Sequence, residues 1–157
     1  MINARSATKQ RPDHIYRRNL PHWRQDNSTY FVTWRLATGQ QELDSTERDL
    51  VTAAITRFER QRYELSAYVV MDDHIHILLA PLPPNELKEI LHSWKSFTAR
   101  QMQKEHQRFG QVWQDEYFDR IMRDDQEFAQ KAAYIVGNPQ KRWPEIQDYP
   151  WVWPAEI

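Results

Sequence analysis

Two histidines separated by a single residue, His74 and His76, lie in the run HIHILLA. An extended strand sends successive side chains to opposite faces, so both imidazoles project from the same side. Ile75, Ile77 and Leu79 project from the other, and that apolar set is the side expected to lie under helices. Neighbouring imidazoles at this spacing are able to ligate one divalent cation. The chain has no cysteine, so the remaining ligands would be oxygens, which suits Mg2+ or Mn2+. An exposed polar pair is the competing account of the same two residues. A second set stands sixty residues later in the chain. Tyr134 and Asn138 are four apart, which puts a phenol and an amide oxygen on one helical face. Pro139 follows Asn138, and a residue before proline is steered away from helical dihedrals, so Asn138 is expected at the helix end with its side chain turned inward. Plain packing for Tyr134 and terminal capping for Asn138 remain open. Tyr117 is a rival phenol, but beside Phe118 in a strand it fits a half-buried packing role better.

The elements that position these residues follow from pattern. Thr29 to Leu36 is dense in β-branched and aromatic residues and stops before Gly39, which predicts a first strand. Asp44 with Glu47 forms a capping-box pattern ahead of Leu50, Val51, Ala54, Ile55 and Phe58, which predicts a helix over roughly 45–62. Leu65 to Met71 and His74 to Ala80, joined only by Asp72 and Asp73, predict a tight hairpin. After Pro81, Pro83 and Pro84, Asn85 is placed to cap a second helix carrying Leu87, Ile90, Leu91, Trp94, Phe97 and Met102 toward Gly110. Tyr117 to Arg123 alternates as a fourth strand. Asp124 and Glu127 then repeat the capping-box pattern before Phe128, Ala132 and Ile135. The order is βαββαβ plus one helix: an α+β, ferredoxin-like antiparallel sheet with two helices on one face and the paired histidines on the other, where the additional C-terminal helix is free to cover them.

Composition bounds the class. A chain of 157 residues is the size of one domain, and a 40% hydrophobic share with seven Trp suits a folded, aromatic-rich core. Three stretches are expected: a basic arm over residues 1–27, a single domain over 28–140, and an irregular aromatic tail over 141–157, where Pro144, Pro150 and Pro154, with Pro139 just before them, exclude a long helix. Without cysteine there is neither a disulfide framework nor a thiolate metal site. No apolar run suits a leader or a membrane span, which predicts a cytoplasmic protein with no membrane partner. The net charge of −1 argues against a nucleic-acid protein on the sum alone. Its distribution does not, because bases cluster at Arg11, Arg17, Arg18 and Arg24 and again at Lys95, Arg100, Lys104 and Arg108.

Four segments in order, HIH at 74–76 after the YVVM strand, WQDEYFDRIMRD at 113–124, YIVGNP at 134–139 and DYPW at 148–151, resemble the REP-associated tyrosine transposases. These are single-tyrosine members of the HUH endonuclease class, and the similarity runs from about Arg17 to Trp151. The resemblance implies that His74, His76 and Asn138 hold a divalent cation, Mg2+ or Mn2+, and that Tyr134 is the nucleophile. One departure bears on metal affinity: Asp72 and Asp73 stand where family members often carry proline and then asparagine or glutamate.

A metal-dependent single-stranded DNA endonuclease and strand transferase is the function this implies, acting on hairpin or palindromic DNA of the bacterial nucleoid. A phenol with an ordinary pKa near 10 is a weak nucleophile at neutral pH and needs electrostatic help. The expected product is a 5′-phosphotyrosine with a free 3′ hydroxyl. Arg17, Arg18, Arg24, Lys95, Arg120 and Arg123 are the candidate DNA contacts, although Arg120 and Arg123 are expected on opposite faces of their strand. Trp94 is a further stacking candidate that fits the second helix's core stripe equally well. A domesticated DNA-binding protein that keeps the fold without turnover is the alternative, and a ferredoxin-like RNA-binding module is the third reading. Monomer and homodimer both remain open.

Overall fold

The computed structural model describes residues 28–156. Arg17, Arg18 and Arg24, and with them the expected basic arm, lie outside the described residues. Five strands form one antiparallel sheet: β1 (Tyr30–Arg35), β2 (Tyr63–Val70), β3 (His74–Pro81), β4 (Phe118–Ile121) and β5 (Val152–Trp153), in the spatial order β4-β1-β3-β2-β5. Three helices accompany them, α1 (Ser45–Thr56), α2 (Leu87–Glu105) and α3 (Asp125–Arg142). The expected ferredoxin-like order is present, with the sheet extended by β5. Among the described residues no helix is long and apolar enough to cross a membrane.

Alternation along the strands divides the molecule into two cores. Val32, Trp34, Ile75, Ile77 and Leu79 face α1 and α2, where they pack with Val51, Ile55, Leu91 and Trp94. Phe31, Val69 and Leu78 face the opposite way and pack with Phe128, Ala132 and Ile135 of α3. β2 changes sides midway: Leu65 belongs to the first core and Ala67 to the second, because a register shift against β3 falls between them. Strict period two therefore fails at Ser66, which a bulge accounts for.

Local chemistry sets the element ends. Asp44 and Glu47 make the full reciprocal capping box at the start of α1. That helix stops at Thr56 and not near residue 62, since the Tyr63 hydroxyl donates to the Ile55 carbonyl and Arg60, at φ 72°, turns the chain into β2. The N-cap of α2 is Glu86; Asn85 instead donates from its side-chain amide to the Leu82 carbonyl and closes the preceding turn. At α3, Asp124 accepts from Glu127 N, but Glu127 reaches past the cap to Arg123 N, so the second box is incomplete.

Asn138 does not end α3. The helix continues through Pro139 to Arg142. A proline inside a helix removes one backbone bond. Burial of Pro139 and Asn138, the bond from Trp143 N to the Pro139 carbonyl at 2.8 Å, and the contact from Arg142 to Asp72 at 2.7 Å hold the last turn in place. The tail is less irregular than expected, because Val152 and Trp153 add to the edge of β2.

Candidate active site

His74 and His76 project from the sheet face that α3 covers. Their ring centroids are 4.6 Å apart. Cross-strand register places Thr33 opposite His76, and the Thr33 hydroxyl lies 2.7 Å from His76 Nδ1. His74 Nδ1 donates to the Asp73 carboxylate at 2.6 Å. Each imidazole thus has its Nδ1 engaged by the protein, which orients the ring and leaves Nε2 as its remaining nitrogen. Phe31 stacks on the other side of His76, with centroids 5.4 Å apart.

The phenol comes to this pair within one chain. Tyr134, on α3, has its ring centroid 5.3 Å from that of His76 and 6.2 Å from that of Phe31, and it stays 44% exposed. Asn138, one turn later, is only 8% exposed, and its side chain makes no hydrogen bond among the described residues. His74, His76 and Asn138 fit a donor set for a hard divalent cation: two imidazoles held by outer partners and a nearby amide oxygen.

Electrostatics keep His76 neutral. Burial, reinforced by the neighbouring His74, Arg35 and Lys131, pushes His76 down to about 3 from its ordinary 6.5, so it carries a lone pair across the physiological range. Burial alone would raise Asp73, but the hydrogen bond from His74 and the nearby positive groups hold its carboxyl below the usual range. Asp72 is displaced the other way: burial raises it, and the single ion pair with Arg142 only partly opposes that.

The remaining expected site residues scatter. Tyr117 packs against the α1 and α2 core on the far side of the sheet, where burial raises its phenol. Trp94 is buried in that same core. Lys95 lies on α2 and donates to the carbonyls of Gln114 and Asp115. Arg120 and Arg123 do not diverge to opposite faces, because β4 ends at Ile121 and alternation lapses before residue 123. Both converge on Glu127 of α3, Arg120 through a short ion pair and Arg123 at 3.8 Å.

Sequence reasoning passed over Thr33, Phe31 and Lys131. Thr33 needed the β1–β3 register, which no local pattern supplies. Lys131, three residues before Tyr134, was visible as the preceding member of the same helical stripe. A separate acid and histidine cluster, Asp44, Glu47 and His106, has ligand atoms within 4.8 Å of one another. Those donor types suit a divalent cation, but both Glu47 oxygens are held by Arg108, at 2.6 and 2.8 Å. A groove of about 740 Å³ runs along the tail between Arg48, Trp143, Tyr149 and Trp151, and none of the paired-histidine residues lines it.

A ferredoxin-like sheet that brings two oriented imidazoles and a helix-borne phenol onto one face defines the class, that of single-tyrosine transposases. Residues 25–138 match the family model described as transposase IS200 like, and the chain belongs to that family. It is accordingly a transposase-type, DNA-processing enzyme. Among curated relatives it is 25% identical over 128 residues to a REP-associated tyrosine transposase of Escherichia coli (strain K12), covering 78% of this chain and 73% of that one. It is 29% identical over 106 residues to a putative REP-associated tyrosine transposase of Haemophilus influenzae, covering 59% of this chain and 60% of that one. Its fold matches a solved REP-associated tyrosine transposase bound to a REP hairpin, with a TM-score of 0.67 and 21% identity over 85% of this chain and 82% of that one. A putative transposase from Deinococcus radiodurans matches with a TM-score of 0.50 and 24% identity, over 68% and 87% of the two chains.

Proposed function

We propose that this chain nicks and rejoins single-stranded DNA beside a hairpin, with Tyr134 as nucleophile and a divalent cation held by His74, His76 and Asn138. The observation that carries the reading is the Tyr134 ring 5.3 Å from a His76 whose Nδ1 is already engaged by Thr33. The hairpin-bound fold relative and the REP-associated relatives support the substrate class. The arm bearing Arg17, Arg18 and Arg24 is assigned to backbone contacts on that DNA.

His76 serves as a ligand in the tautomer that donates from Nδ1 to the Thr33 hydroxyl, and Asp73 enforces the same tautomer on His74. The bound cation would polarise the scissile phosphate and stabilise the charge that develops on it. Tyr134, fixed on a packed helix, presents its oxygen in line with the phosphorus. Its bond to phosphorus forms as the bond to the 3′ oxygen breaks; the phenol releases its proton, and the departing oxygen takes one up to become a 3′ hydroxyl. The phosphotyrosine keeps the bond energy, so the reverse attack by a 3′ hydroxyl joins strands without a nucleotide cofactor.

Incubation with a 5′-extended hairpin oligonucleotide and Mn2+, followed by a denaturing gel, is the test. The intact chain gives a retarded covalent adduct, Tyr117→Phe gives the same adduct, and Tyr134→Phe gives none. Adduct from Tyr134→Phe defeats the assignment, and binding without adduct from the intact chain supports a non-catalytic DNA reader instead.

A further inference from the structure

Two cations that the chemistry above leaves unused stand on either side of the phenol. Lys131, Tyr134, Asn138 and Lys141 follow one another at intervals of three, four and three residues, so they share one stripe of α3 beside the stripe that packs into the sheet. Lys131 Nζ lies 4.8 Å from the Phe31 ring centroid and 5.9 Å from that of Tyr134. Lys141 Nζ lies 5.8 Å from the Tyr134 ring on the side of the helix C-terminus.

Neither ammonium has a carboxylate partner among the described residues. Other cations around the same helix are committed: Arg120 of β4 and Arg123 just after it to Glu127, and Arg142 at the helix end to Asp72. The acid nearest the imidazole pair, Asp73, is held by His74. A partly buried lysine and a second one beside the same phenol carry charge that the described residues leave uncompensated. Backbone phosphates supply the missing anions.

We propose that Lys131 and Lys141 bind the phosphates flanking the scissile one, so that the DNA strand runs along α3 and offers its reactive phosphorus between them at Tyr134. This rests on the strand-nicking reading and adds the path of the strand along the helix and the residues that grip it. Lys131, braced on Phe31, holds the side nearer β1, and Lys141 holds the side nearer the turn before His74. The two lysines are substrate-binding residues with no part in holding the metal.

Phosphate contacts leave a signature that a structural role does not. Each one lost lowers the slope of log affinity against log salt by about 0.7 for single-stranded DNA. The experiment measures binding of a fluorescent 5′-extended hairpin oligonucleotide across a salt series at fixed Mn2+, in the Tyr134→Phe background so that no adduct accumulates. Lys131→Met and Lys141→Met keep the aliphatic stem; each is expected to reduce the slope by about 0.7 and the double variant by about 1.4, with arginine at either position restoring it. Lys104→Met, on the other side of the sheet at the end of α2, is expected to leave the slope unchanged. An unchanged slope in either Lys131→Met or Lys141→Met overturns the inference, as does an equal drop in Lys104→Met, while the strand-nicking reading survives both results. Absence of binding by the intact chain defeats that reading itself, and this inference with it.

Discussion

The two faces of the sheet are built from alternate residues of the same strands, and they have been put to different uses. Toward α1 and α2 the strands present Trp34, Ile75, Ile77 and Leu79, closed over by Trp94 and Trp113, with Trp34 stacked on Trp94 at 5.9 Å and edge-on to Trp113 at 6.0 Å. Toward α3 they present Thr33, His74 and His76 among Phe31, Leu78 and Val69, and the helix above leaves its phenol and two ammonium groups accessible. One side is a solid apolar layer. The other is a smaller apolar layer interrupted where the polar groups meet. A single strand of eight residues, β3, thereby contributes to a core on one face and to the polar cluster on the other, and a shift of one residue in its pairing would exchange them.

The contrast is open to direct attack from either face. Trp34→Ala, which empties the fully buried centre of the apolar layer, is expected to lower unfolding free energy by roughly 3–5 kcal/mol in urea titrations. A loss of under about 1 kcal/mol would show that this face is not the main source of stability. On the opposite face Thr33→Val should leave the fold standing and weaken Mn2+ binding about 10–100-fold by calorimetry, since it frees the His76 ring from its outer partner. Unchanged affinity would remove the pair from the proposed metal site.

Acid separates the faces further. His76 has its folded pKa depressed to about 3 against 6.5 unfolded, so the unfolded chain binds the proton more tightly and stability is complete above about pH 6.5 and declines as pH falls toward 3. In metal-free protein this amounts to about 2 kcal/mol by pH 5. The melting temperature of the intact chain should therefore fall more steeply between pH 7 and 5 than that of His76→Asn; parallel curves would mean that the imidazole is not held neutral. The smallest effect belongs to a helix end. Asp44→Ala removes the cap of α1 at a cost of about 1 kcal/mol by thermal melting, with adduct formation unchanged at low temperature.

Much of this division was legible because it follows from spacing. Period two put His74 and His76 together and Ile75, Ile77 and Leu79 opposite; the four-residue interval put Tyr134 and Asn138 on one helical face. What the pattern left out depends on contacts distant in sequence. Thr33 meets His76 only through the β1–β3 register, and Arg120 meets Glu127 only because β4 ends beside the start of α3. Pro139 misled for a related reason: local dihedral preference ends the helix there, and the burial of that turn with its tie to Asp72 overrides it. The bulge at Ser66 carries no glycine or proline to announce it.

The helix that bears the phenol is fastened near both of its ends. Glu127 ties its first turn to Arg120 on an edge strand, and Arg142 ties its last turn to Asp72, two residues before His74. Tyr134 sits mid-span on what is mechanically a beam pinned at each end. Such a mounting resists both swinging and sliding, so the ring's place beside the imidazoles is set during folding.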